Sequence, residues 1–110
     1  MNEEDEGLRQ FIESLEGRTI IVEGKKDAQA LKALGVPEEG IVILNMGQSL
    51  IETVEALAGE KEVVVLTDMD GEGKRLRRRL LKMFSQYGID EYAKPRELFA
   101  RLKLSHVEGL

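Results

Sequence analysis

Three short runs of β-branched and aliphatic residues, separated by segments of helical periodicity, constrain this 110-residue chain most. The runs are residues 19–22, 41–44 and 63–66, and each is apolar at nearly every position. A strand that is apolar on both faces is buried on both faces, as in a parallel sheet covered by helices. The sequence therefore predicts a single α/β domain with a parallel sheet and helices on both faces.

Apolar residues recur at helical spacing between and around these runs. They predict helices over residues 8–15, 27–34, 48–58, 72–87 and 95–102. Asp27 is expected to cap the second of these helices, and Leu104 to Val107 is expected to form a short final strand. The acidic residues 2–6 are expected to be disordered or to pack loosely ahead of the first helix.

The rare residue types exclude several classes of function. The chain has no cysteine, which rules out a disulfide scaffold, a Cys-based zinc site and a Cys nucleophile. Its one histidine, His106, argues against a His-rich metal site and is expected to be structural. No apolar run approaches the ~20 residues that span a bilayer, and the N-terminus is acidic where a secretory signal is basic. We expect a cytoplasmic protein without a membrane partner.

The charges are segregated along the chain, so the net charge of −5 decides little about partners. Residues 1–16 and 17–70 each carry a net charge of −5, whereas residues 71–110 carry +5. Six of the basic residues fall between Lys74 and Lys82 with no acid among them. This distribution predicts a basic patch beside an acidic one, and it is compatible with a nucleic-acid partner.

Acidic residues follow the first and third predicted strands, where a parallel sheet places its ligands. Glu23 follows the first strand, and Asp68 and Asp70 follow the third. Carboxylates held close together repel one another, and a divalent cation removes that repulsion. Oxygen ligands without His or Cys favour Mg²⁺ or Mn²⁺. The alternative is that each acid only caps the helix that follows it.

The helix after the third strand has one strongly basic face. Lys74, Arg75, Arg78 and Lys82 lie opposite its apolar stripe, and Arg77 is expected to be partly buried. Cations in a first helical turn and like charges four residues apart both destabilise a helix. A phosphate at this helix N-terminus would offset both effects, with Lys25 as a further contact. The alternative is a basic face that only aids solubility.

The segment that starts at Asp68 shares residues with three other known motifs. An EF-hand reading of the loop that starts at Asp68 places Arg79 where a bidentate Glu is required, so it fails. The glycine–lysine segment 71–74 is too short for a Walker A loop. Residues 68–72 approach the DxDGT motif of haloacid-dehalogenase phosphatases, and a small-molecule phosphatase is kept as a minor alternative.

Two motifs together resemble the Toprim domain of topoisomerases, primases and several nucleases. They are an apolar strand ending in Glu23-Gly24, and Asp68-Met-Asp70-Gly71-Glu-Gly73-Lys74 ending a second strand 45 residues later. The resemblance covers about residues 18–107 and is greatest to small stand-alone Toprim proteins of archaea and bacteria. The Toprim ribonuclease that matures 5S ribosomal RNA is the next most similar.

The resemblance implies a Rossmann-like Toprim fold with about four parallel strands, occupying residues 18–110 behind an acidic leader and short helix at 1–17. It implies that Asp68 and Asp70 bind Mg²⁺ and that Glu23 is a general acid/base or a further ligand. Gly24, Gly47 and Gly71 correspond to turn glycines. The chain shows neither a second domain with a topoisomerase tyrosine nor the zinc module of a primase, and Tyr87 is expected to be core packing.

The implied function is a Mg²⁺-dependent phosphoryl transfer on a nucleic-acid backbone, most plausibly as a nuclease. The leading alternative is a Toprim module that binds nucleic acid or assembles with partners without catalysis. The substrate class comprises RNA and DNA, and the possible protein partners are a second copy of the chain or another protein.

Overall fold

The computed structural model describes the backbone of residues 3–108 and the side chains of residues 6–102. In chain order the elements are helix α1 (Glu3–Ser14), strand β1 (Thr19–Val22), helix α2 (Lys25–Ala33), strand β2 (Ile41–Ile43), helix α3 (Leu50–Ala56), strand β3 (Glu62–Val65), helix α4 (Gly71–Gln86), strand β4 (Asp90–Glu91) and helix α5 (Lys94–Glu108). A 3₁₀ turn at Glu38–Gly40 leads into β2. Within the described part of the chain, no helix is long and apolar enough to cross a membrane.

The four strands form one parallel sheet in the order β2-β1-β3-β4. Ile21 of β1 lies between Val42 of β2 and Val65 of β3. The chain leaves β1 for the neighbour on one side and later returns to the other side. In open α/β sheets, a crevice forms at the carboxyl ends of the strands where the order reverses in this way. The predicted four-stranded α/β fold is confirmed, and the reversal lies between β1 and β3.

Helices cover both faces of the sheet, which explains why its strands are apolar at nearly every position. Ile20 and Val22 face a core built with α1, α2 and α5, whereas Ile21 faces a core built with α3 and α4. All three are at most 1% exposed. Phe84 of α4 is also fully buried, in the second core. Burial on both sides makes the central strands rigid supports for whatever follows them.

The last part of the chain differs from the prediction. Leu104 to Val107 was expected to be a strand, but these residues continue helix α5. The fourth strand is instead Asp90–Glu91, whose residues pair with Glu62 and Val63 of β3. Two acidic residues carry no apolar pattern, so the sequence offered no signal for this strand. The side chain of His106 lies outside the described residues.

Helix α5 packs against α1 at the surface of the first core. The Phe11 and Phe99 rings stack with their centroids 5.6 Å apart. Gly7 lies so near Leu102 that a Cβ on Gly7 would be 3.3 Å from the leucine side chain. Helix α1 already begins at Glu3, so it contains all four acidic residues of the segment 2–6 that was expected to be disordered or loosely packed.

Candidate metal centre and nucleic-acid interface

The carboxylate of Glu23 lies against the backbone that follows β3. Glu23 comes directly after β1, and its Oε1 accepts a hydrogen bond from the Asp68 backbone N–H at 3.0 Å. Because β1 and β3 are neighbours in the sheet, the two segments meet although 45 residues separate them. The structure therefore brings two of the three predicted acidic residues to the same point, at the strand-order reversal.

The third acid, Asp70, caps helix α4. Its Oδ1 accepts a hydrogen bond from the Gly73 backbone N–H at 2.8 Å, and the residue has the extended backbone of an N-cap. This is the capping role that was weighed as the alternative to a metal ligand. Asp70 is exposed and lies two residues after Asp68 in the same loop. Its Oδ1 accepts the hydrogen bond from the helix, and this bond does not involve Oδ2.

The acidic residues at this loop determine which kind of metal ion could bind there. Among residues 6–102, no three His, Cys, Asp or Glu side chains lie close enough to hold an ion together. Mg²⁺ usually takes one or two protein carboxylates and keeps several waters or substrate oxygens. Asp68 and Asp70 offer that kind of donor set. The loop therefore suits a Mg²⁺ or Mn²⁺ ion that keeps part of its water shell, and not an ion enclosed entirely by protein ligands.

Glu23 has an unusual electrostatic environment for a carboxylate at a strand end. Partial burial raises its pKa above the ordinary value, and the charges of Asp68, Asp70 and Asp27 raise it further. The hydrogen bond from the Asp68 N–H acts in the opposite direction and lowers the pKa. The raised pKa makes Glu23 a stronger proton acceptor than an ordinary glutamate, and a cation beside Asp68 and Asp70 would reduce their repulsion of its charge.

The loop between β3 and α4 is closed by a tight backbone contact at Gly73. A Cβ on Gly73 would lie 2.0 Å from the Asp68 carbonyl oxygen, closer than atoms can approach. The fully buried Thr67 donates its hydroxyl to the Gly73 carbonyl at 2.8 Å. Only glycine fits here. The sequence analysis quoted Gly73 within the motif but did not assign it this role, for which the spacing DxDxxG was the available signal.

The three predicted turn glycines differ in what they require. Gly47 has a φ of +90°, in the left-handed region that favours glycine. Gly24 has an extended backbone and caps α2. Gly71 begins α4, and a Cβ there would meet only Arg75, at 3.6 Å. All three lie in the segments that follow β1, β2 and β3, and Gly71 is already the first residue of α4. Only Gly47 has a backbone conformation that side chains disfavour.

Asp27 was predicted to cap α2 and is instead the third residue inside it. The helix begins at Lys25 with Gly24 as its N-cap, and the Gly24 N–H donates to Asp27 Oδ2 at 3.1 Å. The carboxylate thus reaches back from the first turn, as in a capping box. The predicted N-cap was wrong by three positions. An acid at the N-cap or at the third helical position can accept a hydrogen bond from a free backbone N–H at the helix N-terminus, so the sequence fits both.

The predicted phosphate contacts are at the surface. Lys74, Arg75 and Arg78 are exposed on α4, and Lys25 is exposed at the start of α2. Arg77 is partly buried, as expected, and its guanidinium makes a two-point ion pair with Glu91. Its function is thus structural, and the basic surface consists of the other cations.

Two open clefts meet at Glu23. The larger, about 710 Å³, lies beside the start of α2 and is lined by Lys25, Lys26 and Asn45 among others. The smaller, about 330 Å³, lies beside α4 and is lined by Arg75 and Arg79. Glu23 and Leu76 border both clefts. Arg79 was used in the sequence analysis only to exclude an EF-hand, and the structure places it at the candidate site.

Several known proteins resemble this chain in sequence or in fold. A family model described as "Toprim domain" matches residues 18–103. A UPF0292 protein of Archaeoglobus fulgidus is 33% identical over 97 residues, which cover 86% of this chain and 74% of the relative. A UPF0292 protein of Methanocaldococcus jannaschii is 37% identical over 99 residues, covering 86% and 77%. A solved structure titled "putative protein from Aquifex aeolicus" has a similar fold, with a TM-score of 0.76 at 23% identity over 96% of both chains.

The contact at Gly73 predicts a large cost for the smallest side chain. Gly73→Ala is expected to lower the free energy of unfolding by about 2 kcal/mol or more, because the added Cβ overlaps backbone and not a flexible side chain. Urea denaturation measures the change. Gly59→Ala is the matched control, since a Cβ there meets nothing within 4 Å, and a cost as small as the control's would contradict the contact.

The raised pKa of Glu23 predicts how stability varies with pH. The folded state binds the Glu23 proton more tightly than the unfolded state, so this residue makes the protein more stable as pH falls through the raised pKa toward the ordinary value. The unfolding free energy of wild type minus that of Glu23→Gln, measured without metal between about pH 4 and 8, is expected to increase toward low pH. A difference that increases toward high pH would contradict the direction.

Proposed function

The chain belongs to the Toprim family, and on that basis we propose that it is a Mg²⁺-dependent nuclease acting on a nucleic-acid backbone. One observation carries the proposal. The Glu23 carboxylate, with its raised pKa, is hydrogen-bonded to the Asp68 backbone, beside a helix whose exposed face is basic. Proton-accepting, metal-binding and phosphate-binding groups thus adjoin one another at the strand-order reversal.

Asp68 and Asp70 would hold the metal, and Mg²⁺ bound there would withdraw charge from the phosphate that is cleaved. Glu23 takes the proton in this proposal. Water attacks the phosphorus while Glu23 accepts its proton, one P–O ester bond breaks, and the leaving oxygen takes a proton from solvent, so that a phosphate monoester and a free hydroxyl result. Its Oε1 is already oriented by the Asp68 N–H, so the carboxylate points in a defined direction.

The two clefts on either side of Glu23 support a polymeric substrate. A chain with its scissile phosphate at Glu23 would extend past Lys25 and Lys26 in one direction and past Arg75 and Arg79 in the other. Contacts of this kind to phosphates position a substrate and carry no base information. Because both clefts are open, the site favours cleavage of a nucleic-acid strand over hydrolysis of a small phosphate ester. The family match likewise favours this activity over the dehalogenase-type phosphatase.

A second candidate is a module that binds nucleic acid without cleaving it. It is favoured by the absence of a three-acid cluster among the described side chains and by the engagement of Asp70 as a helix cap. In this reading the basic surface of α4 carries the function and the acids stabilise the loop. Variants of Glu23 and Asp70 separate the two candidates.

Two isosteric variants test the roles of the acids. Glu23→Gln is expected to lower Mg²⁺-dependent cleavage about 10²- to 10⁴-fold, the usual contribution of a general base, and to keep Mg²⁺ affinity within a few-fold. Asp70→Asn still provides a good N-cap, but it is expected to weaken Mg²⁺ binding at least tenfold. Cleavage of labelled RNA and DNA, single- and double-stranded, is measured together with calorimetric Mg²⁺ titration.

Glu55→Gln is the matched control, because Glu55 is an exposed acid on α3 outside both clefts. Cleavage that is absent for wild type on every substrate, together with retained nucleic-acid binding, would favour the non-catalytic module. Cleavage that survives Glu23→Gln unchanged would remove the proton-accepting role.

The basic surface predicts a specific salt dependence. Arg78→Gln is expected to weaken binding of an uncleavable oligonucleotide and to reduce the slope of log K against log salt by about 0.7–0.9, the value for one lost phosphate contact. Fluorescence anisotropy at several salt concentrations measures both. Lys61→Gln removes one positive charge at the amino end of β3, whereas the candidate site lies beyond the carboxyl end of that strand. This variant is expected to leave the slope unchanged. Equal slopes for the two variants would place the nucleic acid elsewhere.

A further inference from the structure

A buried arginine lies directly beneath the loop that carries the two aspartates. Arg96 is the third residue of α5 and is only 8% exposed, whereas its neighbours Lys94 and Glu97 are exposed. Arginine is rarely buried without a partner of opposite charge. Its position on the sheet side of α5 brings the guanidinium to the carboxyl end of β3.

The guanidinium of Arg96 donates to the end of β3 and to the two residues Thr67 and Asp68. Its Nη1 donates to the Thr67 carbonyl at 2.8 Å, the Thr67 hydroxyl oxygen at 3.1 Å and the Val65 carbonyl at 3.3 Å. Its Nη2 donates to the Asp68 carbonyl at 3.2 Å. One side chain therefore contacts three carbonyls, from the last residue of β3 to the first aspartate of the loop.

The charge of Arg96 has no direct counter-ion among the described side chains, since none of the ion pairs there includes it. Arg77, by contrast, is paired with Glu91. Burial and the Arg77 charge lower the pKa of Arg96, and the acids Glu91, Glu23 and Asp68 act in the opposite direction. A guanidinium nevertheless stays protonated in proteins. A buried cation of this kind is costly, and the acidic site above it supplies the compensating negative field.

We propose that Arg96 is a positioning residue for the metal centre, which fixes the Thr67–Asp68 backbone so that the Asp68 N–H meets Glu23 and its carboxylate reaches the metal. The inference rests on the proposed Mg²⁺ site. Asp68 is held at both ends of its backbone, by Glu23 at the nitrogen and by Arg96 at the oxygen. Residues that orient metal ligands in this way commonly change metal affinity 10- to 100-fold when they are replaced.

Positioning and simple electrostatics predict opposite signs. A positive charge beside a cation site repels the cation, so if Arg96 acted only through its charge, Arg96→Met would bind Mg²⁺ more tightly. If Arg96 positions the loop, Arg96→Met binds Mg²⁺ more weakly, and Arg96→Lys, which keeps a donor but not the two-pronged geometry, recovers part of the loss.

The experiment measures Mg²⁺ affinity by calorimetry and solvent exchange of backbone amides by NMR, for wild type, Arg96→Met, Arg96→Lys and the control Arg77→Met. We expect at least tenfold weaker Mg²⁺ binding for Arg96→Met, with the Lys variant between it and wild type. In metal-free protein, the Asp68 amide of Arg96→Met is expected to exchange at least tenfold faster relative to the Val64 amide in the core of β3. Loss of overall stability would accelerate both amides together, so their ratio isolates the loop.

The outcomes are distinct. Unchanged or tighter Mg²⁺ binding in Arg96→Met overturns the proposal, as does an equal loss in Arg77→Met, which does not touch the loop. If Arg96→Met does not fold, the Lys variant decides by the same two measurements. If wild type binds no Mg²⁺, the proposed function fails, and the ratio of the Asp68 and Val64 exchange rates alone decides whether Arg96 positions the loop.

Discussion

The pairing of β1 with β3 is the constraint on which the candidate site depends. Its register continues beyond the strands, where the Leu66 N–H donates to the Ile21 carbonyl at 2.8 Å. This brings the chain after β3 to within hydrogen-bond distance of Glu23. Both strands are buried on both faces, so neither can slide without exposing a core. The sheet therefore joins two segments that are distant in sequence. Because the register of β1 and β3 is fixed, the positions of Glu23 and Asp68 relative to each other are fixed as well.

Several independent interactions fix the conformation of the loop after β3. Gly73 lies against the Asp68 carbonyl, the Thr67 hydroxyl is bonded to the Gly73 carbonyl, and Asp70 caps α4. Arg96 holds the same segment from below. No buried polar side-chain atom in the described part of the chain lacks a hydrogen-bond partner. Such a fully satisfied network is typical of a segment whose conformation is specified closely.

Much of this could be predicted from the sequence because the relevant signals are local. Apolar strands such as 63–66 identify a buried parallel sheet, and the carboxyl-end rule then places Glu23 and Asp68 near each other before any coordinates exist. The motif also marks Asp70 and Gly73 by spacing. What it leaves undetermined is which role each residue plays, since an acid after a strand serves equally as a helix cap and as a metal ligand.

The features that escaped prediction depend on tertiary contacts. Arg96 is one arginine among several in a basic segment, and only the packing of α5 shows that it is buried. The strand Asp90–Glu91 has the same cause, because its pairing with β3 and not a pattern of its own makes it a strand. Residues 104–107 continue the helix that begins at Lys94. Arg79 served only to exclude an EF-hand, and its place beside Glu23 becomes evident only once α4 is packed on the sheet.

The two-residue strand β4 also determines where the sheet stops. An outer strand exposes unpaired backbone groups that can recruit a further strand from another molecule, and proteins commonly prevent this with short or charged edges. β4 is both, since it consists only of Asp90 and Glu91. It offers too few free amides and carbonyls to template an added strand, and the exposed Asp90 carboxylate repels the same residue of a second copy. The sheet is thus protected along this border from edge-to-edge aggregation.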